Sequence, residues 1–209
     1  MKVVAILGSP RKDGNTAHAF EIAHKEFQKE GIDFEVVHVG NKLIHGCLAC
    51  KKCAINKDEK CVIEGDITNE AIQKMKAADA IILGSPVYFA GIAGTMKSFL
   101  DRAFYVASAN GGLFRGKVAA AITSARRSGG SHTIDGLNHY ITYGEMIVAT
   151  SSYWSIVHGR DEGEMLQDEE GVQTIEVLAR NIAWLLKMKK TAAIKQPEKV
   201  QKISTGFIR

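Results

Sequence analysis

The stretch Ile6-Leu7-Gly8-Ser9-Pro10-Arg11-Lys12-Asp13-Gly14-Asn15-Thr16 directly follows the apolar residues 3–5. An apolar run of strand length leads here into a loop that carries a hydroxyl, a guanidinium and an Asn-Thr pair, and then into an amphipathic helical pattern. A loop of this kind at a helix start offers free N–H groups and a positive charge to an anion. The segment therefore predicts a phosphate site.

The composition of this loop separates it from the commoner nucleotide-binding loops. It has neither the Gly-x-Gly-x-x-Gly spacing of a dinucleotide site nor the Gly-Lys-Ser/Thr ending of a P-loop. The candidate phosphate donors are Ser9, Arg11, Asn15 and Thr16. Donors of this number and kind suit one terminal phosphomonoester.

Strand-like and helix-like patterns alternate five times along the chain. Apolar or β-branched runs of strand length lie at 3–7, 34–39, 80–83, 118–123 and 146–150, and helical patterns lie at 15–30, 67–77, 91–106, 131–142 and 170–188. Five βα units predict an α/β fold, a doubly wound five-stranded parallel sheet of order 2-1-3-4-5 with helices on both faces. A ligand is then expected at the carboxyl ends of strands 1 and 3, where the winding reverses.

Two further loops should line the same crevice. The loop at 84–91, after the third predicted strand, combines a proline with aromatic residues and offers a flat wall to a planar ring through Pro86, Val87, Tyr88 and Phe89. The loop at 123–130, after the fourth predicted strand, is rich in donors and contains Ser124, Arg126, Arg127, Gly129 and Gly130. Both loops suit a heteroaromatic ring whose phosphate lies on the first loop.

The combination of Gly-Ser-Pro-Arg-x-x-Gly-Asn-Thr at 8–16, Ser-Pro-Val-Tyr-Phe at 85–89 and Phe-Leu-Asp-Arg at 99–102 resembles the flavodoxin-like, NAD(P)H-dependent FMN reductases. Within that family it resembles the branch that includes the iron-sulfur flavoproteins. The resemblance covers about residues 1–188 and implies a flavodoxin-like fold with bound FMN. It implies that the donors of the first loop hold the FMN phosphate, that residues 86–89 border the isoalloxazine, and that residues 124–130 meet its pyrimidine side.

Three side chains in these segments have candidate roles. Two-electron reduction of a flavin builds negative charge near N1 and the C2 carbonyl, and Arg126 or Arg127 can stabilise that charge. The alternatives for both arginines are a solvated position or a clamp for a substrate carboxylate. Tyr88 is the polar side chain expected near the reactive face. The neighbours Asp101 and Arg102 are expected to form a structural ion pair.

All four cysteines lie in one segment: Cys47, Cys50 and Cys53 have C-x2-C-x2-C spacing, and Cys61 follows. In a protein whose thiols stay reduced, this spacing is typical of [4Fe-4S] ligands. It also resembles the compact cluster motif of the iron-sulfur flavoproteins, although the gap before Cys61 is long. A structural zinc site and an unmetallated loop remain alternatives. The surrounding lysines would offset thiolate charge and suit an acidic electron carrier such as ferredoxin; they are Lys51, Lys52, Lys57 and Lys60.

Length and charge bound the remaining possibilities. With 209 residues, 45% of them hydrophobic, the chain can fill one core. Residues 187–209 carry a net charge of +6, so residues 1–186 carry −2 of the total +4. We expect one domain at 1–188 with a cysteine-bearing loop at 45–66, and a solvated basic tail at 189–209, with neither a nucleic-acid nor a membrane partner. No signal-peptide pattern is present, and we expect a cytoplasmic protein.

These patterns lead to one preferred function and one alternative. The preferred function is an FMN-dependent oxidoreductase that passes electrons from NAD(P)H through bound FMN to a flavin, quinone, azo or nitro compound, or protein acceptor. The alternative is an electron carrier, holding FMN with or without a [4Fe-4S] cluster, that serves a protein partner without steady NAD(P)H turnover. The family resemblance implies a homodimer or homotetramer. The aromatic segment 151–159 is expected to cap the flavin, lie in a subunit interface, or form a small local core.

Overall fold

Strands and helices alternate from the first residues of the computed structural model, which describes residues 1–200, 203, 205 and 206. The strands are β1 (Lys2–Leu7), β2 (Asp33–His38), β3 (Ala80–Tyr88), β4 (Gly91–Ile92), β5 (Val118–Ala125), β6 (Ile147–Val148) and β7 (Ile156–His158). The helices are α1 (Asn15–Lys29), α2 (Lys52–Asn56), α3 (Thr68–Ala77), α4 (Gly94–Ala109), α5 (Gly130–Tyr143) and α6 (Glu169–Ala192), with a 3₁₀ turn at Glu164–Gln167.

The central sheet has the order β2-β1-β3-β5-β6, with parallel pairing throughout this path. These strands correspond to the five predicted ones, so the predicted order 2-1-3-4-5 holds along this path. The sheet differs from the predicted five strands because β4 pairs with β3 and β7 pairs with β5, which makes seven strands among the described residues. β5 is buried along its whole length, and β1 and β3 are buried over most of theirs. Runs of Val, Ile and Ala suit such strands because helices cover both faces of a doubly wound sheet.

Helices cover the two faces of the sheet and divide the core in two. On one face, Phe20 and Phe27 of α1 and Ile182 of α6 pack against alternate residues of β1 such as Val3. On the other face, α3, α4 and α5 pack against the intervening residues. The alternation follows from the two-residue period of a strand. It leaves the strand ends, rather than the sheet faces, open to a ligand.

The end of β3 differs from the predicted loop at 84–91. The strand continues to Tyr88 and turns back into β4, with Val87 paired to Ile92 and Tyr88 paired to Gly91 in antiparallel register. At the tip, Phe89 and Ala90 have φ values of +47° and +58°, in the left-handed region that non-glycine residues rarely adopt. The predicted loop is therefore a strand end and a tight hairpin.

The edge strand is also different from the prediction at 146–150. β6 pairs with the start of β5 at Val118, whereas β7 pairs with its end at Thr123. Four more residues separate β6 from β7 than separate the two paired parts of β5, so the edge strand is split and the intervening segment leaves the sheet. Tyr153 and Trp154 lie in that segment and are exposed.

The C-terminal helix is longer than the predicted 170–188. Its N-cap Asp168 accepts a hydrogen bond from the Gly171 N–H, and the helix ends at Ala192. The first residues of the predicted tail are therefore helical, and residues 193–200 are exposed. Residues 201, 202, 204 and 207–209 of that predicted tail lie outside the described residues. In the part of the chain that is described, no helix has the length and apolarity to cross a bilayer.

Candidate functional site

The carboxyl ends of β1, β3, β5 and β7 meet at one edge of the sheet and line a cleft. The residues around it are Ser9, Arg11, Gly14, Asn15, Pro86, Val87, Tyr88, Ser124, Arg126, Gly159 and Arg160. Parallel strands place their carboxyl ends at the same edge, which is why loops distant in sequence converge here. The structure thus brings together residues of all three loops that the sequence predicts to share a ligand.

The start of α1 forms one end of the cleft. Its N-cap Gly14 is extended, no side chain caps the first turn, and that turn has no acidic residue. The first N–H groups of the helix therefore remain available to an anion. A Cβ at Gly14 would lie 3.0 Å from the Arg11 Cβ and 3.3 Å from the Ser9 hydroxyl oxygen, so any side chain at this position would crowd both residues.

β2 and the residues that follow it contact the loop between β1 and α1. The His38 Nε2 atom lies 2.7 Å from the Ser9 carbonyl oxygen. A Cβ at Gly40 would lie only 2.2 Å from that same oxygen and 2.4 Å from the Gly8 carbonyl group. The backbone after β2 therefore touches the loop backbone directly, and this contact requires glycine at position 40.

Two polar side chains at the start of α1 form hydrogen bonds with other parts of the protein. The Thr16 hydroxyl lies 2.7 Å from the Ser124 hydroxyl, a buried contact between α1 and β5. The Asn15 side-chain oxygen accepts a hydrogen bond from the Met165 N–H at 3.3 Å. The first contact joins the start of α1 to the end of β5, and the second joins it to the 3₁₀ turn at Glu164–Gln167. Thr16 lies beneath the cleft rather than on its wall.

Four other predicted site residues lie outside the cleft wall. Phe89 is fully exposed at the hairpin tip, and Arg127 is exposed beside the cleft. Gly129 has φ +88°, and a Cβ there would lie 2.8 Å from the Ala90 Cα. Gly130 is packed with similar closeness against Ile156. The two glycines therefore hold the strand ends close together.

Three residues of the cleft were not predicted as site residues: Gly14, which stands inside the first loop motif, Gly159, which ends the segment 151–159, and Arg160. The signal for the last two was the Ile-Val-His run that ends at residue 158, because a strand in this sheet delivers its following residues to the cleft. The Glu164 carboxylate accepts the N–H groups of Arg160 and Asp161 at 2.6 and 2.9 Å, and these bonds lower the pKa of Glu164 below its usual value. Arg11 donates to the Arg160 carbonyl oxygen at 3.4 Å, which links the first and last loops.

These residues fit the phosphate of FMN. An uncapped helix start, a glycine cradle and the guanidinium groups of Arg11, Arg126 and Arg160 surround the cleft, and phosphate is an anion that such groups bind. Pro86, Val87 and Tyr88 line the same cleft. Tyr88 is half-exposed, so that part of the cleft borders solvent.

The cysteine segment forms a second candidate site after β2. Cys53 lies in the short helix α2 and is buried, Cys61 is partly buried, and Cys47 and Cys50 are exposed. The backbone is left-handed at four non-glycine positions, which are Ala49, Lys51, Lys57 and Glu59. Such positions each cost on the order of 1 kcal/mol and persist where the surroundings impose them.

A side chain of α3 and the residue that caps the end of α4 hold the cysteine segment. Asn69 pairs with the backbone N–H and carbonyl of Cys61, both at 2.8 Å. Asn110 donates to the Cys53 carbonyl at 3.3 Å and accepts the Glu59 N–H at 3.2 Å. Neither asparagine stood out in the sequence, because Asn69 reaches back eight positions to Cys61 and Asn110 reaches residues more than fifty positions away.

The predicted ion pair between Asp101 and Arg102 is wrong. Asp101 bonds instead to Lys97 at 2.7 Å and accepts the Tyr140 hydroxyl. Arg102 pairs instead with Asp66, 36 residues away in sequence. Burial acts to raise the pKa of Asp66, but hydrogen bonds from Arg102 and Thr68 outweigh it, and the pKa of Asp66 lies below its usual value.

The four cysteines line one small cavity together with Arg102, Tyr105 and several aliphatic side chains. Sulfur atoms there accept hydrogen bonds from the Ala49 N–H and from Arg102, both at 3.4 Å. Burial, with lesser effects from the neighbouring thiols, raises the pKa of the Cys53 thiol. Among the described residues, no three His, Cys, Asp or Glu side chains converge closely enough to hold a metal ion. The four donors are all thiols, which is the ligand chemistry of an iron-sulfur cluster, so the residue types fit such a group, and the cluster remains a prediction.

A larger cavity, of about 600 Å³, lies between α4 and α5 and contains none of the predicted site residues. Tyr140 and Asp101 line it, and burial together with the hydrogen bond to Asp101 raises the pKa of Tyr140 to about 12. The converging loops, and not this cavity, mark the candidate site.

Comparisons with known proteins agree with this geometry. The sequence model of the NADPH-dependent FMN reductase family matches residues 1–161. An iron-sulfur flavoprotein of Methanocaldococcus jannaschii is 34% identical over 195 residues, covering 90% of this chain and 98% of the relative. A flavodoxin from the domain Archaea superposes with a TM-score of 0.58 at 18% identity, over 90% of this chain and 99% of that one. RosB with bound 8-demethyl-8-formylriboflavin-5'-phosphate superposes with a TM-score of 0.70 at 15% identity, over 99% and 91%.

The two structural likenesses confirm the flavodoxin-like fold, and the two sequence matches confirm the family that the loop motifs resemble. The chain belongs to the NADPH-dependent FMN reductase family, in its iron-sulfur flavoprotein branch.

Proposed function

We propose that this flavoprotein oxidoreductase takes electrons from NAD(P)H and passes them through FMN to an acceptor. FMN supplies hydride acceptance and electron transfer when it is bound. The observation that carries the proposal is the uncapped start of α1, which opens into the same cleft as Arg11 and the ends of β3 and β5.

The residues of the cleft would bind and orient the cofactor. The Ser9 hydroxyl, the Arg11 guanidinium and the first N–H groups of α1 would hold its phosphate. Pro86, Val87 and Tyr88 would border the ring, and the half-exposed Tyr88 leaves one side accessible to a nicotinamide donor. Arg126 would place a positive charge at the edge of the ring, which favours the reduced form.

We also propose that Cys47, Cys50, Cys53 and Cys61 hold a [4Fe-4S] cluster. The four cysteines share one cavity, and backbone strain at Ala49 and Lys51 between them indicates a loop shaped for a purpose other than packing. An iron-sulfur flavoprotein is a close sequence relative, which supports the same reading. The cluster would let electrons leave one at a time.

A protein is among the electron acceptors in this proposal. Cys47 and Cys50 are exposed at the surface, and the exposed lysines Lys51, Lys52 and Lys60 lie beside them. Complementary charge speeds the encounter of redox partners, so an acidic carrier such as ferredoxin suits this surface. The same observation supports the second candidate function, an electron carrier that has no steady NAD(P)H turnover.

One set of measurements separates these functions. Anaerobically purified protein should contain FMN and about four iron and four sulfide per chain. Steady oxidation of NADH or NADPH by this protein with a flavin or quinone acceptor supports the reductase. Reduction by a ferredoxin without NAD(P)H turnover supports the carrier, and protein that binds no FMN contradicts both.

A further inference from the structure

Arg102 is the largest fully buried side chain of the described residues, and it lies directly beneath the cysteine segment. It is 1% exposed, and its partner Asp66 is also buried at the side chain. Burial of a guanidinium costs free energy unless its N–H groups are hydrogen-bonded and its charge is paired. The contacts of Arg102 therefore indicate which groups it positions.

The donors of Arg102 reach four groups between residues 45 and 66. Nε donates to the Cys61 Sγ at 3.4 Å, and the two terminal nitrogens donate to the carbonyl oxygens of Ile63 at 2.7 Å and His45 at 3.4 Å. One terminal nitrogen also donates to the Asp66 carboxylate. The planar fork therefore holds both ends of the cysteine segment and keeps one N–H on a sulfur atom.

We propose that Arg102 is a positioning residue for the cysteine site, which fixes Cys61 as a thiolate ligand and makes one-electron reduction of the bound cluster easier. The inference rests on the proposed function, because it requires that the four cysteines hold a cluster. Arg102 is charged at every accessible pH, and reduction adds one negative charge to the thiolate-ligated group without moving a proton. A fixed cation and an N–H donor at one ligand stabilise that added charge.

The distribution of charge supports this role. Asp66 pairs with the guanidinium through one terminal nitrogen, whereas Nε faces the sulfur. The lysines near the cysteines are exposed, where solvent screens them strongly. Among the described residues, Arg102 is therefore a buried cation that contacts a cysteine sulfur. Because Arg102 is buried, solvent screens its interaction with the sulfur atoms only weakly.

The test compares two variants that differ only at position 102. Removing Arg102 alone would leave the buried Asp66 carboxylate without its counter-charge, so both proteins carry Asp66→Asn, and one of them also carries Arg102→Met. If the methionine variant does not fold, as judged by circular dichroism and FMN stoichiometry, Arg102→Gln in the same background replaces it. Lys97→Met in the natural sequence is the control, because Lys97 lies on the same helix with a half-exposed side chain.

Redox titration followed by electron paramagnetic resonance measures the cluster midpoint potential, and iron and sulfide analysis measures its content. We expect Arg102→Met to make reduction of the cluster at least about tenfold less favourable in the Asp66→Asn background, which equals about 59 mV for one electron. Lys97→Met should leave the potential unchanged. Equal potentials in the two Asp66→Asn proteins, at equal iron content, would overturn the role of Arg102.

The failure of the proposed function has a different signature. If the unsubstituted protein contains neither iron nor sulfide after anaerobic purification, the cluster itself is refuted, and the role of Arg102 falls with it. If that protein contains the cluster and only the potentials fail to shift, the proposed function stands and the inference about Arg102 alone is wrong.

Discussion

Substitution of Gly40 by alanine should displace the loop between β1 and α1, here called the phosphate loop, although Gly40 lies outside the cleft. The new Cβ would lie 2.2 Å from the Ser9 carbonyl oxygen and 2.4 Å from the carbonyl of Gly8. Ordinary contacts begin near 3.4 Å, so the two backbones must separate by about 1 Å. The obstacle is backbone rather than a flexible side chain, and overpacking of this kind costs about 1–3 kcal/mol.

The displacement should also weaken FMN binding, because Ser9 and the neighbouring N–H groups move with the loop. Loss of one charge-assisted hydrogen bond to the phosphate corresponds to at least about a tenfold higher dissociation constant. Urea unfolding of the FMN-free protein gives the stability, and calorimetric titration with FMN gives the affinity. The matched control is Gly94→Ala, because a Cβ at Gly94 at the start of α4 meets no atom within 4 Å.

Gly94→Ala should keep the stability or raise it slightly, since alanine favours helix over glycine. If Gly40→Ala matched the natural protein in both unfolding free energy and FMN affinity, the close backbone contact and its role beneath the phosphate loop would be refuted.

Three further predictions concern polar groups of the two sites. Thr16→Val and Ser124→Ala should each lower the unfolding free energy by about 1–3 kcal/mol by leaving one buried hydroxyl unpaired, and urea unfolding of the double variant should show a smaller loss than their sum. Because the pKa of Asp66 is lower in the folded protein than in the unfolded chain, its stabilising contribution is present at neutral pH and is lost as the pH falls below about 3.9; the stability difference between the natural protein and Asp66→Asn should therefore shrink between pH 5 and pH 3. Arg126→Ala should lower the two-electron midpoint potential of bound FMN by roughly 30 mV, a tenfold change in the equilibrium, and an unchanged potential would exclude Arg126 from the flavin edge.

The sequence predicted the sheet and its ligand edge because both depend on local patterns. Apolar runs of strand length and the loop at 8–16 are visible within short windows, and the order of a doubly wound sheet follows from them. The hairpin at Phe89 and Ala90 could not be predicted in this way. Its turn requires left-handed backbone at both positions, and neither residue type favours that conformation.

Side-chain partners that are distant in sequence account for most of the other differences. Arg102 was assigned to its neighbour Asp101, whereas its partner Asp66 lies 36 residues away. A signal was present, because Arg102 follows Phe99 by three residues and precedes Val106 by four, on the buried face of the helix. The contact of Thr16 with Ser124, across 108 residues, has no such local signal.

The central claim is that the start of α1 and Arg11 bind the phosphate of FMN, and calorimetric titration with FMN and with riboflavin tests it most directly. Riboflavin has the same ring without the phosphate, so the protein should bind FMN more tightly by a factor of at least ten. Arg11→Ala should reduce this preference, and Arg127→Ala, which removes an exposed charge outside the cleft wall, should leave it intact. Equal affinities for FMN and riboflavin, or a preference that Arg11→Ala does not change, would contradict the account.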